Sequence, residues 1–297
     1  ELPYECRNGA CGLCLCTVHQ GRVDHGAYQE SALTEAMRAR GQTLMCCATP
    51  LSDVAIEVQR EPGAQGHAHQ TYSGKVTSME RLADDLMRLR IALPEGERIA
   101  FTAGQYINII LPDGQRRAYS FANAPGASAD IELHVGLVPD GRFTSHVFNQ
   151  MQVGDKLRFE GPLGRFVLQE SDRPILFIAG ATGFAPVKSI VEDAFQRGLR
   201  RPMWLYWGVR QRTNLYLSDL AEQWERDHDN FHFVPVLSDA AETDAWQGRR
   251  GLVHEAMLAD FPDMQGYEIY LCGSVRMVEA AVPAFLQHGL DEGLCFT

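Results

Sequence analysis

Six of the eight cysteines fall within the first 47 residues, as Cys6, Cys11, Cys14, Cys16, Cys46 and Cys47. No other feature narrows the fold as far. The run Cys6-Arg-Asn-Gly-Ala-Cys11-Gly-Leu-Cys14 spaces three thiols as C-x4-C-x2-C, with a fourth far downstream. This is the ligand spacing of a plant-type 2Fe-2S cluster. Three thiolates on one tight loop enclose one side of the cluster, and the small residues Gly9, Ala10 and Gly12 let backbone N–H groups approach the sulfides. The fourth ligand is Cys46 or Cys47, and only one of them can face the cluster if neighbouring side chains in an extended segment point opposite ways. Cys16 and whichever of that pair is left over read as small buried apolar residues. A tetrahedral zinc site also takes four thiolates, but prefers paired short spacings. A disulfide framework suits short secreted chains rather than one of 297 residues.

That length allows two or three domains at about 100 to 200 residues each. Apolar residues are 45% and charged residues 22% of the chain, which excludes disordered, collagen-like and low-complexity classes. With 27 basic against 38 acidic residues, a net of -11, a phosphate backbone meets repulsion, so nucleic acid is not an expected partner. The longest apolar stretch, near Ile175 to Ala179, falls far short of the ~20 residues that cross a bilayer. There is no basic start leading into an apolar run either. The expectation is a cytoplasmic protein without a membrane partner.

The pattern changes twice along the chain. Residues 1–62 hold the cysteines, and a small polar stretch at 63–71 reads as a linker. Residues 72–171 carry alternating runs such as Gln105-Tyr-Ile-Asn-Ile-Ile-Leu and Ile131-Glu-Leu-His-Val-Gly-Leu-Val, punctuated by Pro-Asp-Gly at 112–114 and 139–141. Period-two runs between turns predict an antiparallel barrel or sandwich. From 172 to 297, apolar strands (Ile175–Ile178, Met203–Trp207, Phe233–Leu237, Glu268–Cys272) alternate with helical patterns from Phe184, over Ser218–Trp224 and over Val275–His288. That alternation predicts a parallel sheet covered on both faces.

Two sets of residues carry chemistry beyond the cysteines. In Arg117-Ala118-Tyr119-Ser120, a Tyr ring on a strand can pack on an isoalloxazine face. An Arg there can bind phosphate, and a Ser hydroxyl can hydrogen-bond the flavin edge where hydride arrives. Taken alone, the tetrapeptide reads equally as an ordinary strand. It is flanked by Ala103-Gly-Gln-Tyr106, Gly141-Arg-Phe143-Thr144 and Gly161-Pro-Leu-Gly164. Gly141 lets the backbone approach phosphates, and Thr144 can donate to one. In the second set, Ile175-Leu-Phe-Ile-Ala-Gly180-Ala-Thr182-Gly183-Phe-Ala-Pro186 is a buried strand, a glycine turn and a helix opening with proline. A helix start behind such a turn suits a pyrophosphate. Gly208 and Arg210 close the second strand, and Cys272-Gly273-Ser274 the last, at the carboxyl ends where open α/β sheets bind ligands.

In order and wording these segments resemble the ferredoxin-NADP reductase superfamily, preceded by a plant-type ferredoxin. The resemblance implies a multidomain fold: a partial β-grasp ferredoxin, an antiparallel β-barrel FAD domain and an α/β parallel-sheet NAD domain. It selects Cys46, through Leu44-Met-Cys46-Cys-Ala-Thr-Pro50, to join Cys6, Cys11 and Cys14 on the cluster. It assigns FAD to Tyr106, Arg117, Ala118, Tyr119, Ser120, His134, Val135, Gly141, Phe143 and Thr144, although a His on a strand is commonly structural. The nicotinamide nucleotide falls to Gly180, Thr182, Gly183, Pro186, Gly208, Arg210, Cys272, Gly273 and Ser274, with Ser120 and Cys272 at the hydride-transfer position. Arg210 and Arg212 lack further positive charge around them, and families with this domain order mostly use NADH rather than NADPH.

Across the full chain, including Leu157 to Gly164, the resemblance extends to reductase components of bacterial oxygenases and to CDP-6-deoxy-glucoseen reductases. It implies that NADH reduces FAD, that FAD splits the electron pair, and that the 2Fe-2S cluster passes single electrons to an oxygenase or dehydratase partner. Two other readings are a simple NADH:acceptor reductase with an idle cluster module and a redox- or zinc-sensing binding protein. Related ferredoxin modules have two strands and most of a helix before the first cluster cysteine, and relatives end on an aromatic residue that covers the flavin. Truncation at both ends is therefore expected, with Phe296 a candidate cover.

Overall fold

The computed structural model describes residues 9, 12, 14–28, 30, 32–58, 70–127, 129–240 and 245–297. Cys6, Cys11 and residues 63–69 of the expected linker lie outside them.

The N-terminal part contains β1 (Leu15–Gln20), β2 (Val23–Asp24), α1 (Glu35–Ala39), β3 (Gln42–Leu44), β4 (Thr49–Pro50) and β5 (Ala55–Val58). β1 lies between β3 and β5 in an antiparallel sheet, and β2 pairs with β4. Thr34 caps α1 by accepting from Met37 N at 3.2 Å. Its buried core is Cys14, Ala32, Leu33 and Leu44, with Tyr28, Met37 and Met45 against it. Cys16 is buried in β1, as expected for a small apolar residue.

The second part runs through β6 (Gln70–Ala83), β7 (Leu86–Ala92), β8 (Tyr106–Ile110), β9 (Arg116–Ser120), β10 (Ile131–Gly136), α2 (Arg142–Asn149) and β11 (Lys156–Leu163). Gln70 and Thr71, the last residues of the expected linker, are already strand, paired with Gly161 and Glu160. The sheet order is β10-β7-β6-β11-β8-β9, all antiparallel. A bridge from Phe121 to Leu133 closes it into a barrel. Period-two alternation explains the core: Ile107 and Ile109 of β8 and Ile131, Leu133 and Val135 of β10 point inward. α2 caps the barrel with Phe143 and Val147. This helix has no mark in the sequence pattern, because Pro139-Asp-Gly141 reads as a turn.

The third part comprises β12 (Ile175–Gly180), α3 (Phe184–Gln196), β13 (Met203–Val209), α4 (Ser218–Asp227), β14 (Phe231–Leu237), β15 (Arg249–Arg250), α5 (Val253–Asp260), β16 (Glu268–Cys272), α6 (Val275–Gln287) and β17 (Cys295–Phe296). The strands form one parallel sheet ordered β15-β14-β13-β12-β16-β17. One face packs Phe177, Leu205, Trp207 and Tyr270 against Val187, Ile190 and Trp224. The other packs Leu176, Ile178, Tyr206 and Leu271 against Val253, Met257 and Phe285. Burial on both faces is why these strands read as continuous apolar runs. Phe296 stacks on Tyr270 with centroids 4.7 Å apart, so it packs at the sheet edge rather than serving as a free cover. The strand order reverses between β12 and β16, a topological switch point where such sheets bind ligands.

Candidate functional site

At the switch point two glycine turns close on each other. A Cβ on Gly183 would stand 2.1 Å from the carbonyl oxygen of Cys272 and 3.0 Å from Gly273 N. One on Gly273 would meet Met277 Cε at 2.2 Å and Gly180 Cα at 3.1 Å. The two turns therefore touch through their backbones, with the Met277 side chain against Gly180 and Gly273, and none of the three glycines has room for a Cβ. The Gly180–Gly183 turn holds Ala181 at φ 47°, a sparsely populated conformation for a residue with a Cβ. Trp207 Nε1 pins it by donating to Ala181 O at 3.1 Å, while the Trp207 ring stacks on Phe184 at 3.9 Å. Pro186 is buried in the first turn of α3. Burial pushes the Cys272 thiol up to about 12, so it stays protonated at neutral pH.

Other predicted nucleotide residues have visible structural duties. Ser274 is the N-cap of α6, accepting from Met277 N at 3.3 Å. Gly208 makes room for α5, since a Cβ there would lie 2.7 Å from Val253 Cβ. Arg210 is exposed at the end of β13, with Asp239 3.7 Å away. Thr182 is exposed, and its methyl lies 3.2 Å from where a Cβ of Gly136 on the barrel would stand.

On the barrel side the quoted segments converge. Gln105 Nε2 donates to Gly164 O at 3.1 Å, and Gln105 O accepts from Phe121 N at 3.0 Å. Tyr106 pairs with Ser120, and Ile107 with Tyr119. A Cβ on Gly104 would lie 1.9 Å from Phe166 O. Tyr119 is half-buried, tilted on Phe143 at 5.3 Å, and burial raises its phenol. Arg116 is neutralised by Glu160 at 2.7 Å. Its neighbour Arg117 instead donates to Arg116 O and Gln115 Oε1, both neutral, at 2.8 Å. Among the described residues its charge has no carboxylate, which suits a phosphate. Ala118 is exposed between them.

α2 opens at Gly141 without a side-chain cap, and Ser145 N is the first amide bonded back, to Gly141 O at 2.8 Å. The amides of residues 142–144 precede it. Thr144 is buried, and its hydroxyl is held 3.2 Å from Val138 N, Val138 O and Gly141 O. It shapes the loop, so a phosphate would meet the amides rather than this hydroxyl. Phe143 and Val135 face the barrel core, and His134 is fully buried with both ring nitrogens engaged. Beside α2 lies a cavity of about 500 Å³, lined in part by Arg142, His146, Lys156 and Arg158.

Of the four expected cluster ligands, Cys14 and Cys46 are described. Cys46 N donates to Cys14 Sγ at 3.5 Å, the kind of bond that stabilises a ligand thiolate. Cys46 and Cys47 do not point opposite ways, contrary to the expectation from strand alternation. Leu44–Ala48 is a turn, with Cys47 N and Ala48 N both bonded to Leu44 O, not an extended segment. The two sulfurs therefore lie 3.5 Å apart on one side. No disulfide forms among the described residues.

Sequence reasoning missed Met277, which roofs Gly180 and Gly273, and Tyr216, which meets His134 from the sheet side. Met277 could have been found three residues after Ser274, in the first turn of the last helix. Tyr216 carried no such signal.

A barrel and a switch-point sheet that share one junction define a class: oxidoreductases that move electrons between a nicotinamide and a flavin. The sequence matches a 2Fe-2S iron-sulfur cluster binding domain at residues 1–51, an oxidoreductase FAD-binding domain at 73–168 and an oxidoreductase NAD-binding domain at 177–282. It is 41% identical over 297 residues, all of this chain and 88% of the relative, to CDP-6-deoxy-L-threo-D-glycero-4-hexulose-3-dehydrase reductase of Yersinia pestis. It is 38% identical to the phenol 2-monooxygenase reductase component DmpP of Pseudomonas sp. strain CF600, covering 98% of this chain and 83% of the relative. The fold resembles the Amycolatopsis cytochrome P450 reductase GcoB, with TM-score 0.84 and 35% identity over all of this chain and 89% of that one. The chain belongs to the family of NADH-dependent iron-sulfur flavoprotein reductases.

Proposed function

We propose that this chain takes hydride from NADH at the crevice between Gly183 and Cys272-Gly273, and delivers single electrons through its cysteine module to a partner protein, an oxygenase or a dehydratase component. The observation that carries the reading is the close approach of two glycine turns at the carboxyl ends of β12 and β16, with Cys272 between them and Thr182 against Gly136 of the barrel. Bound FAD supplies the exchange between two-electron and one-electron chemistry, and the cluster the one-electron outlet.

The chain's own residues do the placing. Arg117 and the first-turn amides of α2 hold phosphate, and Tyr119 and Ser120 present a ring face and a hydroxyl. Gly180, Gly183 and Gly273 admit the nucleotide backbone, and Met277 roofs it. The neutral thiol of Cys272 adds no charge against the nicotinamide. Cys14 and Cys46, with Cys6 and Cys11, hold the cluster. Asp239 beside Arg210 opposes a 2'-phosphate and so favours NADH over NADPH. No helix among the described residues is long and apolar enough to cross a membrane. A reducing cytoplasmic compartment suits the reduced thiols the cluster requires.

Steady-state reduction of a one-electron acceptor, cytochrome c, with NADH and then NADPH tests this reading. Turnover with NADH at well above the NADPH rate is expected. Equal rates would remove the NADH assignment, and no turnover with either would remove the reading.

A further inference from the structure

The barrel and the parallel sheet are joined covalently by one segment, residues 164–174, so noncovalent contacts must fix how they sit against each other. A group of these contacts lies on one face of α3. Lys188 Nζ donates to Ala122 O at 2.7 Å, and Ser189 Oγ donates to Asn123 O at 2.8 Å. Glu192, one turn further on, accepts from the Ala124 amide. Three side chains of one helix thus hold three consecutive residues of the barrel by their peptide groups. The segment they hold is itself fixed within the barrel. Phe121 bridges to Leu133, Ala122 N donates to Glu132 O at 2.8 Å, and Glu132 N donates to Asn123 Oδ1 at 2.9 Å.

Lys188 is the centre of this group. Its ammonium carries three N–H donors, and three acceptors take them: Ala122 O, Glu132 Oε1 at 3.3 Å and Glu192 Oε1 at 2.9 Å. Two of the three belong to the barrel. The side chains of Lys188 and Glu132 are 6% and 4% exposed, and Ser189 is fully buried, so water does not replace a bond that is lost here. Glu132 also accepts from His134 Nε2 at 3.2 Å, and Arg90 braces its other oxygen at 3.0 Å. Burial opposes charge on Glu132, but the bond from His134 and the charges of Lys188 and Arg88 outweigh it and hold the carboxyl down to about 2. Burial holds His134 neutral despite the opposing pull of Glu132. A lysine is seldom buried without such partners. The bonds it makes are directional, whereas apolar contact is not.

Both ends of this link lie one short step from the residues that hold the two reactants. α3 starts directly after Gly183, and Lys188 is five residues beyond that glycine, about 7.5 Å along the helix. Ala122 is two residues past Ser120, about 7 Å along an extended chain. We propose that Lys188, with Ser189 and Glu192, is the positioning residue of hydride transfer: it sets the distance between the flavin held at Ser120 and the nicotinamide held at the Gly180–Gly183 turn. The inference rests on the electron-transfer reading above. A slip of one residue along 122–124, about 3.3 Å, would turn the carbonyls away from Lys188 and Ser189. A displacement of about 1 Å at the reacting atoms is enough to slow a transfer about a hundredfold. Lys188 acts through Ala122 on Ser120 and through the helix on Gly183.

Lys188→Met keeps most of the side-chain length and removes its three donors. Ser189→Ala removes one. The full chain, loaded with FAD and cluster, is mixed anaerobically with NADH, and flavin absorbance is followed over a range of NADH concentrations. NADH deuterated at the transferred position identifies hydride transfer as the step being read. Lys188→Met is expected to slow flavin reduction at saturating NADH by about tenfold or more. It should also weaken the long-wavelength charge-transfer absorbance of NADH stacked on FAD, with the half-saturating NADH concentration unchanged. Ser189→Ala is expected to move both readings the same way by less, and it decides the matter if Lys188→Met does not fold. The double variant Lys188→Met/Glu132→Gln leaves no unpaired carboxylate behind. It should regain melting temperature yet stay slow, because Ala122 O still has no donor. Wild-type reduction rates and charge-transfer absorbance in both single variants would overturn the proposal. So would a double variant whose rate recovers together with its melting temperature, which leaves Lys188 a purely structural part. A wild-type chain whose flavin NADH leaves oxidised removes the electron-transfer reading and the proposal with it, whereas equal reduction in wild type and variants removes the positioning role alone.

Discussion

In the parallel sheet, the crevice between Gly183 and Gly273 is held by side chains buried on both faces, from Phe177, Trp207 and Tyr270 on one to Ile178, Leu271 and Phe285 on the other. In the cysteine module, the buried core of the described residues is Cys14, Ala32, Leu33 and Leu44. One site is positioned by apolar packing that exists whether or not a ligand is bound. The other puts a thiol into its own small core, so ligation and folding are coupled there. The division suits the two tasks, since hydride transfer tolerates little error in distance, whereas the cluster brings its own rigid geometry.

The largest effect expected from testing this contrast is that of Gly183→Val. Its Cβ would fall 2.1 Å from the Cys272 carbonyl oxygen, forcing the two turns apart. NADH-driven flavin bleaching should fall by about a hundredfold or more, while the cluster still reduces with dithionite. Loss of both together would mean the two regions are not separable. Next come matched core truncations, Leu89→Ala in the barrel and Leu44→Ala in the cysteine module, both at fully buried positions. Each should cost about 2–5 kcal/mol. Thermal melts followed by flavin fluorescence and by cluster absorbance should show Leu89→Ala lowering the flavin transition and Leu44→Ala the cluster transition. A shift of both by either change would make the two regions one cooperative unit.

A smaller effect should appear with pH. His134 is held neutral in the fold, so below about 6.5, its ordinary value, the unfolded chain binds a proton that the folded one resists, and stability falls with acid. Glu132, depressed to about 2, acts in the same direction as pH drops below the ordinary carboxylate range. Glu192, raised by burial, works the opposite way. The flavin-release temperature should be lower at pH 5.5 than at pH 8, and an unchanged or higher value would contradict the His134 assignment. Smallest is Thr34→Ala, which removes the cap on α1 and should cost about 1 kcal/mol, read as earlier loss of cluster absorbance on heating.

Much of this was legible in the sequence, for definite reasons. The cysteine spacing and the glycine turns at 180–183 and 272–274 are local patterns, and local patterns survive without a fold. The His134–Tyr216 contact joins residues 82 apart. It exists because the outward face of β10, which alternation would give to solvent, is covered by α3 and the 216 segment. Glu132 and His134 thus look like an exposed polar face and are buried. Cys46 and Cys47 misled for a similar reason: the two-fold alternation argument holds for strands, and the chain turns there instead. Gly208 reads as nucleotide clearance until α5, whose Val253 fills the space, is in view.

The central claim is that electrons run from NADH through the flavin to the cluster within this one chain. Anaerobic titration of the loaded chain with NADH, followed by visible absorbance and low-temperature EPR, tests it most directly. Flavin bleaching with a reduced 2Fe-2S signal growing in step is the predicted result. A bleached flavin with no cluster signal, or a flavin that NADH leaves oxidised, would contradict it.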